Sequence, residues 1–121
     1  MFKEGAIIMD VLIKNMPQEE VLPLTSLVEI QSGQVVSRTL AQNDHLSLTL
    51  FSFDKGEEIS THKSEGDALV TVLTGEGTFT VDGKHHIVKA GESLLMPAGK
   101  PHSIRANVPF QWMLTVVFPE E

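Results

Sequence analysis

Short hydrophobic segments alternate with turn-forming residues along most of the chain. From residue 28 onward, stretches rich in Val, Ile, Leu, Thr and Phe are separated by Gly, Asn, Asp and Pro. The spacing, roughly one strand every 8 to 12 residues, is typical of β-strands joined by turns, and no long helical period competes with it. We therefore predict an all-β protein. The predicted strands cover residues 28–31, 35–40, 46–53, 58–62, 69–74, 78–81, 85–88, 93–96, 102–106 and 111–118.

The clearest turn in the sequence is the dipeptide Asp82-Gly83, which lies between two of these segments. Asp-Gly supplies the positive φ angles that a two-residue type I′ hairpin requires. A two-residue turn also fixes the register, so that Phe79 should lie opposite His86 and the successive pairs should alternate between the two faces of the sheet.

Many short strands in 121 residues have to form one domain with protected edges. A closed barrel or a jelly roll protects edges in this way, and an open sandwich is the alternative. We assign residues 28–121 to this β domain.

Residues 1–27 are harder to interpret. The apolar segments 11–13 and 21–24 could form edge strands, while Pro17 and Pro23 argue against one long helix. An edge strand or sheet face needs cover, so this segment predicts a homodimer, in which it could be exchanged between the two copies.

Composition excludes several classes of function. The net charge of −7 repels the phosphate backbone, so a nucleic-acid partner is not expected. The chain has no Cys, which excludes disulfides and thiolate ligands, so that a metal site would have to use His, carboxylate or amide groups. No apolar run approaches the roughly 18 residues of a membrane span, and no signal peptide is recognisable. We expect a cytoplasmic protein without a membrane partner.

Two glycine-led segments each contain a histidine at a defined spacing. The first has Gly56, His62 and Gly75, and the second has Gly91, Pro97, Gly99 and His102. Both frames resemble the two motifs of the cupin family, G-x5-H-x-H-x3-E-x6-G and G-x5-P-x-G-x2-H-x3-N, in the same order. The resemblance covers roughly residues 46–118 and implies a cupin-type antiparallel β-barrel, the fold also described as a double-stranded β-helix or jelly roll.

The set of ligands that the resemblance implies is incomplete. Ser64 replaces the second histidine of the first motif, Ala68 replaces its glutamate, and Ala106 stands at the last position of the second motif. His62 and His102 remain at positions where cupins bind a metal ion or a small ligand, so the resemblance implies a shared site for these two residues.

Other residues could complete the site. Strand alternation predicts that Glu58, His62 and Ser64 share one side of their strand. By the same alternation Asp67 should point to the other side, so it would contribute to the site only if the loop distorts the strand. His85 and His86 are neighbours on one strand and therefore cannot chelate a metal together.

Three functions remain open. The first is metal-free binding of a small molecule in an apolar barrel lined by Met96, with His62 and His102 as polar handles. The second is an enzyme of the dioxygenase or isomerase type, in which these histidines hold one divalent ion (Zn, Ni, Fe or Mn) and water, substrate or Asp67 completes its coordination. The third is a structural or interaction dimer. The sequence assigns no catalytic residue, and whether the protein is an enzyme stays open.

Overall fold

The computed structural model describes residues 11–120. In this part of the chain, one short 3-10 helix precedes nine β-strands. The helix spans Leu24–Leu27, and the strands are β1 Val35–Gln42, β2 Leu46–Phe53, β3 Glu58–His62, β4 Asp67–Thr74, β5 Glu76–Val81, β6 Lys84–Lys89, β7 Ser93–Met96, β8 His102–Ala106 and β9 Phe110–Val117. Among these residues no helix is long and apolar enough to cross a membrane.

The strands form two sheets that pack face to face. The larger sheet has the order β1-β2-β9-β4-β7 and the smaller has the order β3-β8-β5-β6. Every pairing between neighbouring strands is antiparallel. The all-β prediction and the jelly-roll architecture are thereby confirmed.

The hairpin at Asp82-Gly83 is also confirmed. Asp82 has φ of 51° and Gly83 has φ of 79°, as a type I′ turn requires. The predicted register is present, with Phe79 opposite His86. In this element, local turn chemistry was sufficient to fix the long-range pairing.

The strands predicted before residue 35 are wrong. Residues 28–31, like the segments 11–13 and 21–24, contain no strand. The reason is that side chains satisfy the backbone there: Gln111 Nε2 donates to the carbonyl of Val28 at 2.9 Å, and Ser52 Oγ donates to the carbonyl of Glu29 at 3.0 Å. The segment can therefore cross the larger sheet without joining a hydrogen-bond ladder.

The space between the sheets is filled by aromatic side chains. The Trp112 ring stacks on Phe51 at 4.7 Å between centroids and meets Phe79 edge-on at 5.2 Å. Phe53 and Phe110 complete the group, and both are fully buried. The interior of the barrel is thus a packed core, and any ligand has to bind nearer the mouth.

A second apolar cluster lies on the outer face of the larger sheet. Val28, Leu40 and Leu50 are its buried residues. Partly buried side chains from both the N-terminal segment and the strands pack against them: Met16, Leu24, Leu27, Val36, Leu48, Leu73 and Met113. The N-terminal segment therefore covers one part of this face.

Replacing Gly77 by alanine is expected to lower the free energy of unfolding by about 1–3 kcal/mol, because the new methyl group would overpack the core. A Cβ at this position would lie 2.5 Å from Cζ of the buried Phe110 ring. Urea denaturation of Gly77→Ala, Phe110→Leu and the double variant measures the effect. The smaller leucine side chain at position 110 should relieve the clash, so the double variant should lose less stability than the two single losses added together. Strict additivity would contradict this explanation.

Candidate functional site

His62 at the end of β3 and His102 at the start of β8 face each other across neighbouring strands. They are 40 positions apart in sequence but are paired in the sheet register. Their Nε2 atoms are 3.0 Å apart, and their rings meet edge to face with 4.3 Å between centroids. The antiparallel β3–β8 pairing therefore creates the contact.

An irregularity in β3 turns His62 toward the barrel. Ile59 pairs with Ile104 and His62 pairs with His102, so three residue steps on β3 oppose two on β8. Glu58 lies on the outer face, paired with Arg105. The sequence interpretation that Glu58 and His62 share a face is therefore wrong, because an extra residue in a bulge reverses the alternation.

Each histidine ring is held by a carbonyl two residues before it. His62 Nδ1 lies 2.9 Å from the Ser60 carbonyl oxygen, and His102 Nδ1 lies 3.3 Å from that of Lys100. A carbonyl only accepts hydrogen bonds, so each of these contacts requires a proton on Nδ1. Sequence reasoning missed both groups, because every residue has a carbonyl and only the local backbone path directs it at a ring.

The pair has one proton fewer than its contacts require. Two neutral imidazoles carry two N–H protons in total. If both are used on the carbonyls of Ser60 and Lys100, two Nε2 lone pairs face each other at 3.0 Å. Such a pair would be stabilised by an added proton on one Nε2 or by a metal ion that both Nε2 atoms bind.

The two rings differ in their exposure to solvent. His102 is buried, with 3% of its surface exposed, whereas His62 is exposed. Burial lowers the pKa of His102, the positive charge of a protonated His62 lowers it further, and the hydrogen bond to the Lys100 carbonyl opposes both effects. The environment thus disfavours an added proton on His102 near neutral pH.

The other predicted site residues hold the loops next to the pair. Ser64 Oγ accepts a hydrogen bond from the Gly66 N–H at 3.2 Å. Asp67 Oδ1 accepts one from the Ala98 N–H at 2.9 Å, in the turn that leads into β8. Met96 is buried. It pairs with Ala68, the residue that replaces the glutamate of the first motif.

The two histidines of the β5–β6 hairpin lie away from the pair. His85 is exposed and its Nδ1 is 2.7 Å from Thr80 Oγ1. His86 pairs with Phe79, on the opposite face of the same strand. His85 therefore offers a matched control for experiments on the His62–His102 pair.

The pair fits a metal ion as two of its ligands. At metal–nitrogen distances of about 2.05 Å, two adjacent ligands of an octahedral ion lie about 2.9 Å apart. The observed Nε2 separation is 3.0 Å. Within residues 11–120, however, no group of three or more His, Cys, Asp or Glu side chains is arranged for a metal. Water or a small molecule would have to provide the other ligands.

Two antiparallel sheets closed around an aromatic core define a jelly-roll barrel, and this one carries a histidine pair on adjoining strands. Comparison with known proteins gives the family. Residues 49–118 match the family described as the cupin domain, which covers more than half of the chain, and the protein belongs to that family.

Two solved structures are similar over nearly the whole chain. A conserved protein of unknown function from Streptococcus pyogenes is 45% identical, with a TM-score of 0.89, over 91% of this chain and 96% of the other. A cupin superfamily protein from Desulfitobacterium hafniense is 37% identical, with a TM-score of 0.84, over 88% and 98%. Among curated proteins, an oxalate-binding protein from Thermotoga maritima is 25% identical over 92 residues, which are 74% of this chain and 76% of the relative.

Proposed function

We propose that this protein binds a small carboxylate anion at the mouth of the barrel through His62 and His102, with one divalent metal ion bound by the Nε2 atoms of both rings. The carrying observation is the geometry of the pair: the two Nε2 atoms converge at 3.0 Å while both Nδ1 atoms face carbonyl oxygens. A metal ion bound by both Nε2 atoms would leave coordination positions open for a ligand.

The electrostatics favour a metal ion over a proton. Burial and the charge of a protonated His62 lower the pKa of His102. Protonation of His102 is therefore disfavoured at neutral pH. A metal ion is bound by neutral imidazole and needs no protonation. Zn, Ni, Fe and Mn remain the proposed ions, because imidazole suits Zn, Ni and Fe, while the water or carboxylate that would complete the coordination suits Mn.

The class of ligand follows from the space and the chemistry. The aromatic core around Trp112 fills the barrel, so a ligand of the histidine pair would bind outside this core and would have to be small. Carboxylate oxygens can occupy the coordination positions that the protein leaves open. The relative from Thermotoga maritima described as oxalate-binding is consistent with this class of ligand.

The second candidate function is metal-free binding at the same site. It is favoured by the residues at the two vacated ligand positions, since Ser64 hydrogen-bonds to the Gly66 N–H and Ala68 has no polar group. In that case the two histidines would contact the small molecule directly as polar groups.

Calorimetric titration of chelator-treated protein with Ni²⁺ or Zn²⁺ tests the proposal. Replacing either His62 or His102 by alanine should weaken metal binding by more than about tenfold, because each supplies one of only two protein ligands. His85→Ala should bind metal like the wild type, since His85 lies outside the pair. Equal affinity in all three variants, or no uptake by the wild type, would contradict the metal site.

Oxalate is the probe for the anion. With metal-loaded wild-type protein, oxalate should bind, and chelator treatment should weaken its binding by more than about tenfold. Binding that is unchanged by the chelator and lost in His102→Ala would identify metal-free binding as the correct function. Binding that survives both histidine substitutions would place the anion elsewhere and refute the site.

A further inference from the structure

A groove opens on the wall of the barrel where the edge strands of the two sheets come close. Its lining includes Lys84 and His86 on β6, the edge strand of the smaller sheet, and Leu94 and Leu95 on β7, the edge strand of the larger sheet. The turn before β8 contributes Lys100. Neither member of the histidine pair lines this groove, so it is a separate site. We refer to it as the edge groove.

The cationic groups on β6 come from the inner face of the smaller sheet. Lys84 pairs with Val81 and His86 pairs with Phe79, and both partners are core residues. Cross-strand partners share one face of a sheet, so the inner face of β6 carries a lysine and a histidine at these two positions. The next residue along that face is Val88, which is buried. The apolar interior therefore ends at His86, and a cationic rim begins there.

Negative charge in the edge groove is scarce, although the chain as a whole has a net charge of −7. Among the described residues that line the groove, Asp82 is the one acidic side chain. Its Oδ2 atom lies 4.0 Å from Lys100 Nζ, and both side chains are more than half exposed, so this ion pair is weak. In the described part of the chain, no carboxylate lies within ion-pair distance of Lys84. The groove thus presents an ammonium group that no described protein anion neutralises.

The rest of the edge groove is apolar. Leu94 is half-buried and packs against the core, and Val81, Leu95 and Pro97 also line the groove. The volume of about 320 Å³ is at the lower end of the roughly 300–1,000 Å³ that is usual for small-molecule sites. Apolar walls with a few polar groups are the usual composition of such sites. A ligand that matches both parts has a short hydrocarbon body and an anionic head.

We propose that the edge groove binds a small amphipathic anion, with its hydrocarbon body against Leu94 and its anionic head beside the ammonium groups of Lys84 and Lys100. The His86 ring offers a further N–H donor to the head, because each neutral tautomer of imidazole carries one. Burial of the hydrocarbon body supplies affinity, and the lysines select anionic over neutral ligands.

Protection of an edge strand is the alternative role for these charges, since inward-pointing charged residues prevent edge strands from pairing with other chains. Lys84 on β6 would be sufficient for that role. Protection does not account for Lys100, which lies outside the strands and lines the same groove. Ligand binding accounts for both lysines and for the apolar wall between the two sheet edges.

Calorimetric titration of chelator-treated protein with octanoate tests the proposal, because octanoate joins an alkyl chain to a carboxylate. Binding should weaken as salt is added, since the lysines are exposed. Lys84→Gln and Lys100→Gln should each weaken it by about two- to fivefold, the range expected for an exposed ion pair. Octanol and acetate should both bind more weakly than octanoate to the wild type, because each lacks one half of the ligand.

The matched control is Lys89→Gln, which removes the same charge from the same strand at a position outside the groove. This variant and His62→Ala should both bind octanoate like the wild type. Loss of binding in His62→Ala would place the anion at the histidine pair and overturn the edge groove. A failed metal titration, in contrast, would contradict the proposed function and leave the groove result intact.

Three further results would refute the edge groove: no octanoate binding by the wild type, octanol binding as tight as octanoate binding, or equal losses in Lys84→Gln and Lys89→Gln. The first would leave edge protection as the role of Lys84. Circular dichroism on each variant establishes that the β fold is retained, which separates lost binding from lost folding.

Discussion

Replacing Trp112 by alanine is expected to lower the free energy of unfolding by about 3–5 kcal/mol, the usual range for removing a large aromatic side chain from a core. Trp112 is fully buried and its ring contacts aromatic rings from both sheets, including Phe51 and Phe79. Since domains of this size have total stabilities of about 5–15 kcal/mol, this loss is a substantial share of the total.

Urea denaturation measures this loss. Circular dichroism is the probe, because Trp112 is the one Trp of the chain and its replacement removes the tryptophan fluorescence. Trp112→Phe should be less damaging, since it keeps an aromatic ring in contact with Phe51 and Phe79. Ile87→Ala, on an exposed side chain, should change stability by no more than about 0.5 kcal/mol. A loss below about 1 kcal/mol in Trp112→Ala would show that the aromatic group is not the main core.

Lowering the pH from about 7.5 to about 5 is expected to release metal from the histidine pair, because protonated imidazole has no lone pair for the metal. The lowered pKa of His102 means that its folded form becomes protonated only below the reference value of about 6.5. Metal binding should therefore weaken as the pH falls, by at least about tenfold for each further pH unit once His102 titrates.

Equilibrium dialysis across this pH range measures the release, and circular dichroism at each pH establishes that the fold is intact. His85→Ala should give the same pH profile as the wild type, because His85 contacts Thr80 and lies outside the pair. Uptake that stays constant down to the acid end would show that histidine does not hold the metal.

The sequence was most informative where local chemistry determines structure. The Asp82-Gly83 turn fixed both the conformation of the hairpin and the pairing of Phe79 with His86, because a two-residue turn permits one register. Alternating apolar residues and turn signals likewise predicted the strands from Val35 to Val117, with small differences at their ends. Both signals act over a few residues and are legible in the sequence.

Alternation was misleading where the backbone is irregular. In β3, the bulge between Ile59 and His62 places Glu58 on the outer face, although its spacing from His62 predicted the same side. Before β1, apolar residues predicted a strand at 28–31, yet Gln111 and Ser52 bind its carbonyls from other strands. Nothing within either segment encodes these effects, since they depend on partners brought near by folding.

The histidine site shows the same division. By itself, the sequence determined that His62 and His102 occupy two motif positions and that Ser64 and Ala68 replace the usual ligands. Only the tertiary structure decided that the two Nε2 atoms lie 3.0 Å apart, that burial lowers the pKa of His102, and that backbone carbonyls hold both rings. Residue identity sets which atoms can bind a ligand, whereas distance, burial and proton balance arise only when distant strands pair.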